Sequence, residues 1–451
     1  MKTSLAVAVT VLVASAALLA GQTAVAQPPG PAPALPDIVG PSPLQRWIDE
    51  TVPAPQLDPA PHDDQQTALW RAILSSPTGD PAFDAWPADL DQLAPGDVIE
   101  TRDITAVAAT FFDAPIARAT LVKYRSTSAS GAPSFGTATF LEPAVPWQDA
   151  GPRPVEVDTL PINALGLRCT PGYTIAHGDR NNSGINVFLP GVATALKKGH
   201  AILLPDHEGP LVAYAEPTVA GQMTLDSIRA IRSLSPEQFG GSRFAVTGYS
   251  GGAIASYATA MLLSEYAPEL ADVLVGASIG GAVTDYVAVA HVFNGRSASG
   301  ILLSVSLAMA REHPDMLPYM NNLAQWVGTS PLKDICGEAD GPLGAVGIPM
   351  EVATNIDHPL ESGIAEEIQR RTDLTDRRSA VPLYIYHGAG DFWIPIQGPQ
   401  EVYRRQCGLG VPAEFRAVPG EHVSAMMNGA PGSIEWIDAR LRGEPAPNEC
   451  A

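Results

Sequence analysis

Residues 244–263 read FAVTGYSGGAIASYATAMLL. A run of strand-forming residues stops at Gly248-Tyr249-Ser250-Gly251-Gly252, and a helix-forming run of about four turns follows. One reading is a plain strand–turn–helix connection. The other is a sharp turn that lifts Ser250 above the sheet as a nucleophile, with the flanking glycines letting the turn pack tightly. The same Gly-x-Ser-x-Gly pattern recurs at 276–280 as GASIG. There the sequence continues IGGAVTDY, whose glycines and β-branched residues start a helix poorly. Ser250 therefore fits the strand–turn–helix context. Ser278 is expected to be a small residue packed beneath the site.

A serine needs a base to take its proton and an acid to hold that base. In parallel-sheet proteins of this kind the order is serine, acid, histidine, with the later two on loops at strand ends. Asp391 follows the strand PLYIYHG and its Gly-Ala-Gly turn, and His422 follows the strand AEFRAVPGE. Each alone has a plain alternative: a helix cap for Asp391, an ordinary loop histidine for His422. Three candidates in order, each at a strand end, make the stronger case. His387, inside the strand before Asp391, is expected to be structural or to line the pocket. An oxyanion needs N–H donors. Gly251 supplies one, and the loop in VEVDTLPINALGLRC, at or near Asn163, is the candidate for the other. Asp206-His207-Glu208 could suggest a metal site, but neighbours on a strand point to opposite faces and chelate poorly. No metal is expected. With no nucleotide loop or haem motif in the sequence, no cofactor is expected either.

Outward from this centre, apolar strands and amphipathic helices alternate over most of the chain, which predicts a mostly parallel sheet with helices on both faces. The rhythm breaks between about 283 and 375, where SGILLSVSLAMAREHPDMLPYMNNLAQWVG is helical in period with no intervening strand. A helical cap over the sheet is expected there, between core segments 63–282 and 376–451. Residues 27–62 are proline-rich and read as an arm that forms no helix or inner strand. Residues 1–26 combine Lys2, an apolar stretch and Ala24-Val25-Ala26, as in a secretory signal peptide cleaved near Ala26. Secretion is thus expected. The formal charge of −21 argues against nucleic acid and against anionic membrane surfaces. The cap helices are apolar enough to touch a lipid interface transiently. Four cysteines in an exported chain favour two disulfides, for which three pairings exist.

From about residue 160 to 450 the sequence resembles the secretory lipases of the Candida antarctica lipase A type. The resemblance rests on DHEG (206–209), GYSGGA (248–253), YAPEL (266–270), ASIGG (277–281), HPDM (313–316), GDFWIP (390–395) and Glu421-His422. It implies an α/β-hydrolase fold with a helical cap, and a triad of Ser250, Asp391 and His422. It also implies disulfides Cys169–Cys336 and Cys407–Cys450. The family carries an acidic residue in the oxyanion region where this chain has Asn163, so the resemblance does not settle the role of that position. The chain ends one residue after Cys450, where the type enzyme continues into a C-terminal flap, and the expectation is a more open pocket. The expected function is ester hydrolysis through an acyl-enzyme on Ser250. The alternatives are a serine peptidase of the same fold, with DHEG acids binding the substrate amine, and a secreted binding protein without catalysis.

Overall fold

The computed structural model describes residues 42–61, 63–180, 183–337 and 347–450; the expected signal peptide and residues 27–41 of the arm lie outside the described residues. Among the described residues nine strands form one sheet: β1 Val98–Asp103, β2 Ile116–Thr127, β3 Pro133–Pro143, β4 Val155–Thr159, β5 Ala201–Pro205, β6 Phe244–Tyr249, β7 Leu274–Gly280, β8 Leu383–Gly388 and β9 Ala413–Val418. Their order is β1-β2-β3-β5-β4-β6-β7-β8-β9. β4 to β9 pair in parallel, while β1, β2 and β3 form an antiparallel edge that joins β5. The fold is thus the mostly parallel α/β-hydrolase sheet, extended by an antiparallel edge.

The longer helices are α1 Pro43–Thr51, α2 Gln65–Ile73, α3 Pro171–His177, α4 Leu189–Lys197, α5 Pro217–Leu234, α6 Gly251–Tyr266, α7 Tyr286–Phe293, α8 Ser299–Glu312, α9 Asn322–Thr329, α10 Gly363–Thr372, α11 Gln397–Gly408 and α12 His422–Leu441. Alternation along the strands divides them between two faces. Val246 and Ile385 pack with α5, α6 and Val402 of α11 in one core. Their neighbours Ala245, Tyr384 and Tyr386 pack with Trp436 and Ile437 of α12 on the other side. α3 and α4 cover that second face further along, over Leu121, Ile202 and Leu204.

Two expectations about helices are corrected. The proline-rich arm does contain one. Pro43 occupies the first turn of α1, where a missing N–H costs nothing, and Ser42 and Gln45 form a capping box. The run GSIEWIDARLR predicts a last helix from Gly432, but that helix begins at His422 and runs through Pro431. The Glu421–Ser424 capping box starts it, and buried Ala425, Trp436 and Ile437 hold it on the sheet. That packing outweighs the N–H lost at the proline.

Between β7 and β8 the described residues hold α7 to α10 and short 3-10 turns, with no strand. This helical segment rests on the N-terminal helices as well as on the sheet. Trp70 of α2 donates to the Arg311 carbonyl at 2.8 Å, and Asp49 of α1 accepts from the Asn322 N–H at 2.7 Å. Arg311 is fully buried. Its guanidinium donates to the carbonyls of Ile73, Leu165, Leu211 and Lys333 at 2.8–3.1 Å. One side chain thereby joins α2, the loop after β4, the loop after β5 and the helical segment. Burial lowers its pKa to about 10, which still leaves it charged at neutral pH.

The next residue, Glu312, is buried where α8 meets the β2–β3 hairpin, accepting from the Ala129 N–H at 3.3 Å. Burial, helped by the nearby Glu216, pushes its carboxyl up to about 7. Folding therefore favours the neutral form. The stabilisation is full below the unfolded value near 4.5 and is lost as pH rises through about 7. Glu312→Gln removes that loss. Its stability relative to wild type is expected to improve by up to about 3 kcal/mol between pH 4.5 and 8, read from denaturant midpoints.

Candidate active site

β6 ends at Tyr249, and α6 begins at Gly251. The residue between them, Ser250, has φ 53° and ψ −120°, a region that residues other than glycine rarely occupy. Its N–H is held by the Gly280 carbonyl at 2.8 Å, and its own carbonyl accepts from Ala253 at 2.9 Å. The turn is as tight as the glycines suggest: a Cβ on Gly252 would lie 1.8 Å from the Thr159 carbonyl oxygen. Only glycine lets the end of β4 approach the first turn of α6 this closely. Ser278, by contrast, lies within β7 and is fully buried, with its hydroxyl 2.7 Å from that of Ser433. The second Gly-x-Ser-x-Gly motif forms no elbow.

The structure brings Ser250, His422 and Asp391 together. His422 Nε2 lies 2.9 Å from Ser250 Oγ, and His422 Nδ1 lies 2.6 Å from Asp391 Oδ2. His422 is the first residue of α12, and its carbonyl accepts from the Tyr249 hydroxyl at 2.5 Å. The Tyr249 and Trp393 rings stand beside its imidazole, with centroids 5.2 and 5.8 Å away. The Asp391 side chain is fully buried. Its Oδ1 accepts from the backbone N–H groups of Trp393 and Ile394, both at 2.9 Å. Asp391 therefore closes its own turn and faces His422 at once.

His387 is a further contact of this carboxylate. Its Nε2 lies 2.9 Å from the Ile394 carbonyl and 3.3 Å from Asp391 Oδ2. Burial alone would raise the Asp391 carboxyl, but the hydrogen bonds from His387 and His422 outweigh it and hold the group well below the usual carboxylate range. Asp391 is ionised throughout the neutral range. His387 is visible in the sequence, but its link to Asp391 depends on the turn at 388–391, which folds the chain back on itself.

Asn163 also reaches the elbow. It has φ 48°, and a Cβ on Gly251 would lie 2.0 Å from its Oδ1. Among the described residues that oxygen is buried without a hydrogen-bond partner. Gly251 is the first residue of α6, so its N–H has no acceptor within the helix. The loop carrying Asn163 is tied to the helical segment three times: Leu165 N–H to the Ile335 carbonyl at 2.9 Å, Arg311 to the Leu165 carbonyl at 2.8 Å, and a disulfide between Cys169 and Cys336. The second disulfide, Cys407–Cys450, fastens the chain after α12 to α11.

Asp206, His207 and Glu208 lie in a turn after β5, so the strand geometry assumed for them does not apply. All three are buried. Asp206 accepts from the Gly172 N–H and the Thr137 hydroxyl, at 2.7 and 2.5 Å. Among the described residues no group of three or more His, Cys, Asp or Glu side chains could hold a metal ion.

A cavity of about 540 Å³ opens within the helical segment. Its lining is almost wholly apolar and includes Leu165, Tyr286, Val305, Leu307, Met320 and Ile368. Leu165, two residues after Asn163, is its one lining residue outside 286–368, and neither Asn163 nor Ser250, Asp391 or His422 lines it.

The Secretory lipase family model matches residues 182–449. Lipase 6 of Candida albicans is 29% identical over 405 residues, covering 84% of both chains. A Mycobacterium tuberculosis protein named as a probable inactive lipase is 28% identical over 398 residues, covering 85% of this chain and 86% of that one. In fold, the chain is similar to Candida antarctica lipase A in its closed state: TM-score 0.72 at 24% identity, over 82% of this chain and 89% of that one. It is less similar to the rice cell wall degrading esterase LipA of Xanthomonas oryzae: TM-score 0.56 at 15% identity, over 78% of this chain and all of that one. With a match over more than half of its length, the chain belongs to the secretory lipase family and is a carboxylic ester hydrolase of the α/β-hydrolase fold.

Proposed function

We propose that the protein is a secreted serine lipase or carboxylesterase that works through an acyl-enzyme on Ser250. The observation that carries this reading is the unbroken chain of contacts from Ser250 Oγ to His422 to Asp391, at 2.9 and 2.6 Å. Ser250 Oγ attacks the ester carbonyl carbon as His422 Nε2 takes its proton. Ionised Asp391 orients the imidazole and stabilises its cationic form. The carbonyl oxygen gains negative charge and is held in an oxyanion hole by the Gly251 N–H and a donor from the Asn163 loop. Asn163 supplies that donor when its amide turns so that Nδ2 replaces the unpartnered Oδ1. As the tetrahedral intermediate collapses, the C–O bond to the alcohol breaks and His422 returns the proton to the leaving oxygen. Water, deprotonated by His422, then attacks the acyl-enzyme and frees the acid and Ser250.

Residues 283–375 act as the cap, and the apolar cavity takes the acyl chain. Its volume is in the range of small-molecule sites. Each buried methylene adds about 0.8 kcal/mol, so long acyl chains gain most. Transient contact with a lipid interface belongs to the cap helices. The peptidase alternative is weakened, because Asp206 of DHEG is buried and engaged with Gly172 and Thr137.

Two experiments test the reading. Hydrolysis of p-nitrophenyl esters from two to sixteen carbons is expected to rise with acyl length in the wild type. Ser250→Ala should lower kcat by about 10⁴–10⁶-fold on all of them. A Ser250→Ala protein as fast as wild type would overturn the assignment, and a wild type inert on every ester would favour a binding protein. Val305→Trp fills part of the cavity. It should cut kcat/KM for a sixteen-carbon ester at least about tenfold relative to a four-carbon ester, since loss of even two buried methylenes exceeds 1.4 kcal/mol.

A further inference from the structure

The DHEG segment, Asp206 to Gly209, has no part in the triad, yet its three ionisable side chains are each only 2% exposed. Burying such groups is costly unless each has a purpose-built partner. Besides the Thr137 hydroxyl held by Asp206, their contacts lead to one stretch of chain. His207 Nε2 meets the Leu160 carbonyl at 2.9 Å, where β4 has just ended. Glu208 is buried near Arg311 and favours its charged form, and Arg311 donates to the Leu165 carbonyl at 2.8 Å. Asp206 Oδ1 accepts from the Gly172 N–H at 2.7 Å, in the first turn of α3. Three consecutive residues thus act, one of them through Arg311, on the start, middle and end of segment 160–172. That segment carries Asn163, with its left-handed backbone, up to Gly251.

His207 is the member whose chemistry is most specific. Burial pushes its pKa down to about 4, so the ring is neutral at working pH. A carbonyl faces Nε2, so the single ring proton sits there, while Nδ1 has no partner among the described residues. A rigid, neutral, one-donor side chain suits a buried carbonyl that would cost about 1–3 kcal/mol if left unpaired.

We propose that His207 is a positioning residue for the oxyanion hole, fixing the Leu160 end of the loop that presents Asn163 to the carbonyl oxygen held near Ser250. This rests on the ester-hydrolase reading above. His207 touches no substrate; it acts through the loop. An oxyanion donor works only when held where charge develops, and loss of a whole donor costs about 10²–10³ in kcat. A loosened loop should cost somewhat less and should leave ground-state binding nearly unchanged.

The test uses the full secreted chain with His207→Leu, which lacks a donor, and His207→Gln, whose amide N–H can replace Nε2–H. kcat and KM are measured on p-nitrophenyl butyrate. Affinity is measured for a phenylboronic acid, whose tetrahedral serine adduct places an oxygen in the hole. Amide exchange is followed over 160–166. His207→Leu is expected to lower kcat about 10–100-fold with KM within about twofold. Boronate affinity should fall by a similar factor, and exchange over 160–166 should speed up. His207→Gln should recover most of kcat and restore slow exchange. The proposal is overturned if His207→Leu lowers only the unfolding midpoint, or if His207→Gln loses as much kcat as His207→Leu. Should His207→Leu fail to fold, His207→Asn, whose amide falls short of the Leu160 carbonyl, takes its place with the same readouts. If the wild type hydrolyses no ester, the ester-hydrolase reading fails, and amide exchange alone still decides whether His207 anchors the loop.

Discussion

The site is built around a single backbone constraint, the strained conformation of Ser250. With φ 53° and ψ −120° the residue sits where a side chain is disfavoured by about 1–3 kcal/mol. The conformation persists because both flanks are fixed by much larger interactions. β6 is an inner strand, paired with β4 on one side and β7 on the other. α6 is buried along nearly its whole length against α5 and the sheet. Neither can turn to relieve the junction, and the close packing of Gly252 on Thr159 leaves no room for another path. The strain holds the hydroxyl above the sheet and leaves the first N–H groups of α6 without intrahelical acceptors beside it.

The opposite wall is arranged differently. Asp391 and His422 come from the sheet, where β8 and β9 end in turns joined by the Gly390 N–H and the Gly420 carbonyl at 2.9 Å. The loop carrying Asn163 is instead clamped between the core and the helical segment by Arg311, the Cys169–Cys336 disulfide and the Leu165–Ile335 hydrogen bond. The helical segment also packs on Trp393 and Ile394, beside Asp391 and His422, so it borders both walls. The apolar cavity and the loop carrying Asn163 share Leu165.

Much of this was legible in the sequence because the informative residues are short-range. The Gly-Tyr-Ser-Gly-Gly run, the switch from strand to helix period and the placement of Asp391 and His422 after apolar strands are local patterns, and those residues meet in the structure. The choice between Ser250 and Ser278 was also local, since only the first is followed by a helix former. The antiparallel edge was harder to see. β2 and β3 are joined by a tight hairpin at 128–132, with Gly131 at φ 82°, and a reading keyed to strand–helix alternation passes over such a pair. The extra ten residues of α12 were hidden by Pro431, whose effect is local while the packing that overrides it is tertiary. Arg311 and His207 could not be assigned at all: each contributes through carbonyls far away in sequence, and no spacing rule records that.

The most direct test of the account is covalent labelling of the wild-type protein with a fluorophosphonate, followed by peptide mapping, because phosphonylation requires an activated serine and no guess about the natural ester. The account predicts a single adduct, on the peptide holding Ser250, blocked by His422→Ala. An adduct on Ser278, or none at Ser250 in folded protein, would contradict it.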